Sequence, residues 1–483
     1  MEERTIHMGK LWNFEAFSER PALIGDTGAE LTYGDLAALS AELEKAIEPG
    51  GERPLVMFVA RNTLGGLCGY AALMNLGYPV LPASEGLPTE MWKAIMNLYR
   101  PGLLLLPKEK KGACPAMREV FEFRDYVLLR TNFARHYPVN ERLGLLITTS
   151  GSTGSAKYVR QSWDNLRFNA AAIADFLDIG PSDKSITCLP PQYTYALSML
   201  HANLLRGASV VTTQSGVMDS EFWDLLESEE VTQFHAVPNT YDMLRRIGMF
   251  EDDFPDLRLL TQAGGKLSRE LQAYYADYAA KNGKRFVIMY GQSEATADIT
   301  WLPPEDALRK PGSVGVVVPG GRASIVDEAG NEITEPHTRG ELCYQGPNVA
   351  MGYAQRGEDL STGDEWNGKL RTGDIAEFDE DGYFSITGRL KRYIKLAGHR
   401  VSLDEVDGLI MDELNVLSAS VGTDDHLTIF VTEEKYRNIL LDFIRDRINT
   451  ARTGLRVMVI DEFPVNEGGK VLYSKLQEIA EKD

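Results

Sequence analysis

The sequence predicts an α/β protein in two parts. A large N-terminal region, residues 1–388, holds doubly wound αβ subdomains and closes with a small antiparallel β-barrel or sheet at about 311–388; a small α+β C-terminal domain follows at 389–483. Three observations predict this. The chain has 483 residues, well beyond the ~100–200 of a single domain. From residue 54 short apolar runs alternate with helix-length segments, and after Pro311 and again near Arg389 the texture of the chain changes.

The apolar runs, in order, are PLVMFVA (54–60), PVLPA (79–83), GLLLLP (102–107), LGLLITTS (143–150), SITCLP (185–190), ASVVTT (208–213), TQFHAVP (232–238), LRLLTQAG (257–264) and RFVIMYG (285–291). Runs of this length without alternation suit strands buried on both faces. Helical segments between them, such as DNLRFNAAAIADFL (164–177), imply βαβ units and a mainly parallel sheet. Leu64 to Ser84 carries no charge over 21 residues, nominally enough to span a bilayer. Its glycines, Asn75, Pro79 and Pro82 fit a buried helix leading into a strand instead.

Beyond Pro311, SVGVVVPGGRASIVDEAGNEI and GELCYQGPNVAMGY alternate apolar and polar residues between glycine turns, as short antiparallel strands do. In the last part, Ser402 with Glu405 forms a capping-box signature ahead of Leu403, Val406, Leu409 and Ile410, which share one helical face. LTIFVT (427–432) follows as a strand, then a helix with Tyr436, Ile439, Leu440, Phe443, Ile444 and Ile448 in register, then the strand LRVMVI (455–460).

Composition narrows the function classes. With 43% apolar residues the chain is globular, and its net charge of −20 repels polyanions at long range, which argues against nucleic-acid or anionic-membrane binding. Any anionic ligand needs a local basic site. Cys68, Cys114, Cys188 and Cys343 lie far apart with no CxxC and no His-rich segment, a pattern of free thiols in a reducing cytoplasm rather than of disulfides or zinc. The charged start MEERTIHMGKLW offers no apolar h-region, so no signal peptide is expected.

The most informative stretch is Thr148-Thr149-Ser150-Gly151-Ser152-Thr153-Gly154-Ser155-Ala156-Lys157, directly after the apolar run LGLLI. Small hydroxyl residues and glycines expose backbone N–H groups that can wrap phosphate oxygens, and a lysine adds a point charge. The alternative is a flexible polar turn. The loop is not a Walker A motif, and no serine sits in GxSxG.

TTSGSTGSAK resembles the signature loop of the adenylate-forming superfamily: acyl-CoA synthetases, nonribosomal-peptide adenylation domains and beetle luciferases. The resemblance continues in that family's order with LTQAGGKL (260–267), YGQSEAT (290–296), LRTGDIAEFDEDGYFSITGR (370–389), the Gly398-His399-Arg400 turn and PVNEGGKVLYSKL (464–476), over roughly 330 residues. It implies roles for individual residues. Tyr290 stacks on adenine, with Gly291 and Gln292 beside it, and Gly264 and Gly265 let the backbone pass close to the base and the acyl group. Thr149, Ser150, Gly151, Ser152, Thr153, Gly154 and Lys157 take the phosphates. Ser293 touches phosphate and substrate carboxylate, and Glu294 holds magnesium, a hard ion that also binds ATP oxygens. Asp374 grips the ribose hydroxyls, Arg389 makes a second ribose contact, and Lys470 reaches the α-phosphate and carboxylate during adenylation.

The resemblance further implies an AMP-forming acid–thiol ligase. ATP and a carboxylic acid give an acyl-adenylate, and the acyl group then passes to the thiol of coenzyme A or of a carrier-protein phosphopantetheine. The C-terminal domain is mobile in this family, with a hinge matching Lys391. Arg389, Lys391, Arg392, Lys395 and Arg400 put five basic residues within 12 positions there. Substrate choice falls to Tyr193, Thr194, Tyr195 and Ser198. Thr194 stands where activators of α-amino acids carry an aspartate for the ammonium group, which favours a non-amino acid; a stand-alone amino-acid adenylation enzyme is the alternative.

Overall fold

The computed structural model describes residues 10–47, 53–148, 157–251, 254–396, 399–448, 454–466 and 470–482, without the side chains of 399, 400, 446 and 448. All nine apolar runs contain strands, and they divide between two large sheets. In the eight-stranded sheet, Leu143–Thr148, Val80–Ser84, Val56–Ala60 and Leu103–Pro107 run parallel at the centre. Antiparallel strands flank them, Tyr158–Ser162 with Gly352–Ala354 on one side and Tyr126–Arg130 with Arg118–Phe123 on the other.

The nine-stranded sheet carries Arg285–Gly291, Leu259–Gln262, Gln233–Ala236, Lys184–Ile186, Ser209–Thr212 and Pro21–Gly25 in parallel. Asp298–Leu302 with Val316–Val317, and Glu30–Thr32, close its two edges in antiparallel fashion. Ligands of such sheets gather at the carboxyl ends of the strands. Here that edge is where Tyr290, Gly264, Val237 and Thr187 follow one another.

One hydrophobic cluster joins both sheets through the helices Leu64–Asn75 and Thr194–Leu205. The uncharged stretch is thus interior: every residue from Gly65 to Asn75 is buried, and the chain enters the strand Val80–Ser84. Among the described residues no helix is long and apolar enough to cross a membrane.

Beyond Pro311, the strands Glu332–Ile333, Arg322–Val326, Gly340–Gln345, Lys369–Phe378 and Phe384–Arg389 form an antiparallel five-stranded sheet. The hairpin Tyr393–Leu396/His399–Ser402 leads from it into the helix Leu403–Leu414. Then come the strands Ala419–Thr423 and His426–Val431, the helix Tyr436–Ile448, the strand Leu455–Val459 and the helix Tyr473–Lys482. Residues from Ile394 to Val457 share a core of their own, with Ile410, Leu440 and Ile444 fully buried.

Two details differ from the sequence expectation. Ser402 caps its helix by accepting from Glu405 N at 3.2 Å, but the Glu405 carboxylate turns to Arg339; an ion pair to a guanidinium displaces the return half of the box. Ile439 is turned away from the buried Leu440 and Ile444 and is 49% exposed.

Candidate active site

Asp374 and Arg389 stand directly opposite each other in the register of Lys369–Phe378 and Phe384–Arg389, so sheet pairing alone brings their side chains together. Arg389 Nε lies 3.0 Å from Asp374 Oδ1, and the Tyr290 hydroxyl donates to Oδ2 at 2.6 Å. Asp374 itself is 6% exposed. Each carboxylate oxygen has two lone pairs, so both retain acceptor capacity for the vicinal hydroxyls of a ribose. The Tyr290 hydroxyl bond also fixes the plane of its ring. Gly291 is required next to it: a Cβ there would sit 1.7 Å from the Ala297 carbonyl oxygen.

Ser293–Ala295 is a single 3₁₀ turn, too short to hold itself. Its supports come from elsewhere in the chain. Gln161 Nε2 donates to Ser293 O at 2.9 Å. Asn348 Nδ2 donates to Ala295 O and Asp298 O, both at 2.9 Å, and Ala350 N donates to Glu294 O at 2.9 Å. Thr296 closes the turn at φ +63°, an uncommon backbone region for a β-branched residue, and its hydroxyl donates to Asn348 O at 2.6 Å.

The Glu294 carboxylate accepts from the Tyr353 hydroxyl at 2.8 Å, and Lys157 Nζ lies 3.3 Å above the centre of the Tyr353 ring. The Trp366 ring meets Tyr353 edge-on at 4.9 Å. Among the described residues no group of three or more His, Cys, Asp or Glu side chains could hold a metal. A lone carboxylate suits magnesium in one setting, where oxygens of a bound polyphosphate complete the shell. The donor set at Glu294 therefore fits a metal that arrives with a nucleotide.

Thr194 is the first residue of a 12-residue helix, and its hydroxyl lies 2.6 Å from Ser293 Oγ. The positive end of that helix faces the Ser293 hydroxyl, a setting that favours an anion such as a carboxylate. Tyr193 is the helix N-cap residue. The Tyr195 hydroxyl pairs with Thr261 Oγ1 at 2.6 Å, while Ser198 spends its hydroxyl within the helix on Tyr195 O at 2.9 Å. Gly264 adopts φ +82° just beyond the strand Leu259–Gln262, and Gln262 Nε2 ties the turn by donating to Gly265 O at 2.9 Å. Gln292 Nε2 reaches Thr372 O at 3.5 Å.

Lys470 enters from the C-terminal part. Its backbone N–H donates to Asn466 Oδ1 and its carbonyl accepts from Asn466 N, both at 2.9 Å. Burial, helped by the Arg389 charge, pulls its ammonium down to about 8, against the opposing pull of Asp374, Glu294 and Asp404. The lysine thus senses both the Asp374 and the Glu294 carboxylates, which lie 80 positions apart in the sequence.

The remaining expected positions fall differently. Thr149, Ser150, Gly151, Ser152, Thr153 and Gly154 lie outside the described residues, as do Gly398 and the Glu467-Gly468-Gly469 segment before Lys470. The strands on either side of the 149–156 segment are antiparallel partners, with Thr148 opposite Tyr158. The basic run is not one surface. Arg389 serves Asp374, whereas Arg392 binds Asp404 Oδ1 at 2.6 Å and Asp407 Oδ2 at 3.0 Å and stacks over Tyr473 at 3.5 Å. Tyr353, Gln161 and Asn348 were not expected from sequence; each sits on an ordinary strand or turn and acts only through long-range contact.

Residues 11–354 match the family model described as AMP-binding enzyme. Oxalate–CoA ligase of Arabidopsis thaliana is 29% identical over 346 residues, 68% of this chain and 65% of the ligase, so the match spans just under two thirds of that relative. Luciferin 4-monooxygenase of Photinus pyralis is 25% identical over 95% of this chain and 91% of its own. The crystal structure of ATP-bound MatB from Rhodopseudomonas palustris superposes with a TM-score of 0.79 at 22% identity, covering 96% of each chain, a likeness of fold that reaches the C-terminal part. A family model that covers most of the chain, together with these relatives, makes the protein a member of the AMP-binding enzyme family, within the adenylate-forming superfamily.

Proposed function

We propose that the protein is an AMP-forming acid–thiol ligase. The observation that carries this reading is that the Lys470 ammonium is within electrostatic reach of both the Asp374 and Glu294 carboxylates, with Glu294 next in sequence to Ser293, whose hydroxyl meets that of Thr194. A carboxylate oxygen of the acid attacks the α-phosphorus of ATP, the bond to the β-phosphate oxygen breaks, and pyrophosphate leaves with the electron pair. Asp374 and Arg389 hold the ribose, Tyr290 stacks on adenine between Gln292 and the Gly264-Gly265 turn, and Thr149–Gly154 with Lys157 takes the phosphates. Glu294 would hold the magnesium ion, which when bound offsets phosphate charge. Ser293 and Thr194 orient the carboxylate at the positive end of a helix, next to Tyr193 and Tyr195. Lys470 stabilises the charge that builds up during in-line transfer, which is electrostatic rather than covalent catalysis.

In the second step a thiol attacks the acyl carbon and AMP departs. Coenzyme A is the acceptor we favour, supported by the name of the oxalate–CoA ligase relative; a carrier-protein phosphopantetheine presents the same thiol. We place the boundary between a large part, 1–388, and a mobile part, 389–483, with the pivot near Lys391, which is exposed and follows the last strand of the five-stranded sheet. Four free cysteines are in keeping with a reducing cytoplasm.

The test is hydroxylamine trapping of acyl-adenylate with pyrophosphate release, across fatty, aryl and amino acids, in wild type and Lys470→Ala. Lys470-dependent hydroxamate from simple acids supports the ligase. Preference for amino acids would instead make it an adenylation enzyme that loads a carrier. Acid-dependent oxygen uptake would point to chemistry like that named for the luciferin relative.

A further inference from the structure

A recess runs along the Thr194–Leu205 helix, lined by Thr187, Cys188, Ala196, Met199, Leu200 and His235 among others. None of the described lining residues is Lys, Arg, Asp or Glu. His235 is 2% exposed; its Nδ1 lies 2.7 Å from Thr261 Oγ1, and its Nε2 has no hydrogen-bond partner. Thr261 Oγ1 is shared with the Tyr195 hydroxyl at 2.6 Å. Tyr195 follows Thr194, whose hydroxyl meets Ser293. On this helix the lining of the recess begins at Ala196, two residues from Thr194, where the acid's carboxylate is bound in the ligase reading, on which this inference rests.

The shared threonine hydroxyl has one proton to give. When Tyr195 donates to Thr261 and Thr261 donates to Nδ1, the His235 proton sits on Nε2, which becomes a donor. When Nδ1–H donates to Thr261, Nε2 presents a lone pair. Burial pulls the imidazole down to about 3, so the ring is neutral at physiological pH and offers one uncharged bond of either polarity. An alkyl tail would leave that buried nitrogen unsatisfied. A second carboxylate would be buried without a cation.

We infer that His235 reads an uncharged oxygen group, hydroxyl or carbonyl, on the part of the acid remote from its reacting carboxylate. The preferred substrates are then hydroxy- or oxo-substituted monocarboxylic acids, and dicarboxylates such as oxalate are poor. A site that hydrogen-bonds a substrate oxygen discriminates strongly against the analogue lacking it.

The experiment measures kcat/KM for adenylation over acids matched in carbon number: unsubstituted, hydroxy- or oxo-substituted, dicarboxylic and amino-substituted. Wild type, His235→Leu and His235→Gln are compared, with Lys470→Ala as the chemical blank. The expected result is at least a tenfold preference of wild type for the best oxygenated acid over its plain counterpart. That preference should be lost in His235→Leu and partly restored in His235→Gln, whose amide both donates and accepts. Plain acids or dicarboxylates used as well as oxygenated ones by wild type would overturn the inference, and so would a preference unchanged in His235→Leu. Preference for amino-substituted acids would also overturn it, and would shift attention to the buried Asp298, whose Oδ2 likewise has no partner. The wild-type ratios decide even where His235→Leu fails to fold. Absence of Lys470-dependent hydroxamate from every acid is a separate result, in which the ligase reading falls and takes this inference with it.

Discussion

In the proposed reaction Lys470 serves as a cation, yet burial pulls its ammonium down to about 8. As pH rises through that value the ammonium loses its proton, so kcat/KM for adenylation should be flat below about pH 7.5 and fall roughly tenfold per unit well above pH 8. Bound ATP brings phosphate charge beside the ammonium and holds the proton on, so the fall in kcat should lie at higher pH than the fall in kcat/KM. A pH profile of pyrophosphate release checks both, and a profile flat to pH 10 would remove Lys470 from the chemistry. Tyr353 makes a second residue-scale case. It donates to Glu294 and lies beneath Lys157, so Tyr353→Phe should keep the ring under the lysine but free the carboxylate to move. The expected outcome is a severalfold rise in the magnesium concentration for half-maximal adenylation, with little change in thermal midpoint. That Asp374, Glu294 and Lys470 belong to one neighbourhood was legible in the sequence, because they sit in short motifs whose spacing survives in the linear chain. Tyr353 was not, because nothing in GYAQ distinguishes a strand tyrosine from one that bridges a lysine and a carboxylate across 196 positions.

The elements were legible where periodicity carries the signal. Central parallel strands are buried on both faces and announce themselves as unbroken apolar runs; REVFEF (118–123) and YVRQS (158–162) did not. The first is an edge strand with exposed and half-buried residues. The second is wholly buried yet polar, with Arg160 satisfied by carbonyls of Met351 and Tyr353 and by Glu365. The Ser293 turn shows why a motif can name candidate site residues without naming what holds them. Asn348 is fully buried and donates twice to the turn region while accepting from Tyr344 at 2.7 Å. Asn348→Ala would leave those carbonyls and the tyrosine unsatisfied, and should cost about 3 kcal/mol in denaturant unfolding. The loss should fall on activity as well, since Glu294 and Ser293 would lose their seat. Unchanged stability would mean that the turn holds itself.

At the scale of the whole molecule, the cleft draws on three sheets and a loop near the C-terminus. Arg339 links the last two parts, with Nε 3.3 Å from Glu377 on the five-stranded sheet and a second bond to Glu405 on the helix Leu403–Leu414. Both pairs are partly exposed, so each contributes only ~0.2–1 kcal/mol. Arg339→Gln should therefore leave the unfolding midpoint nearly unchanged and slow adenylation by at most about fivefold, through a smaller share of molecules with Lys470 in place. Comparing adenylation with transfer from preformed acyl-adenylate separates the two effects; equal slowing of both would argue against a role in docking. Arg339 escaped the sequence reading for the reason Tyr353 did, and Glu405 misled it, since its capping role was given up for this contact.

The hydroxyl pair Thr194–Ser293 divides the cleft. On one side Asp374, Arg389 and Tyr290 are held by the five-stranded sheet and the edge of the nine-stranded one; on the other, Thr187, Cys188, Met199 and His235 belong to segments that make none of those bonds. Mutational libraries confined to the second set should yield catalysts with new acid preferences and an undisturbed appetite for ATP, so the two traits can drift separately as such a lineage diversifies.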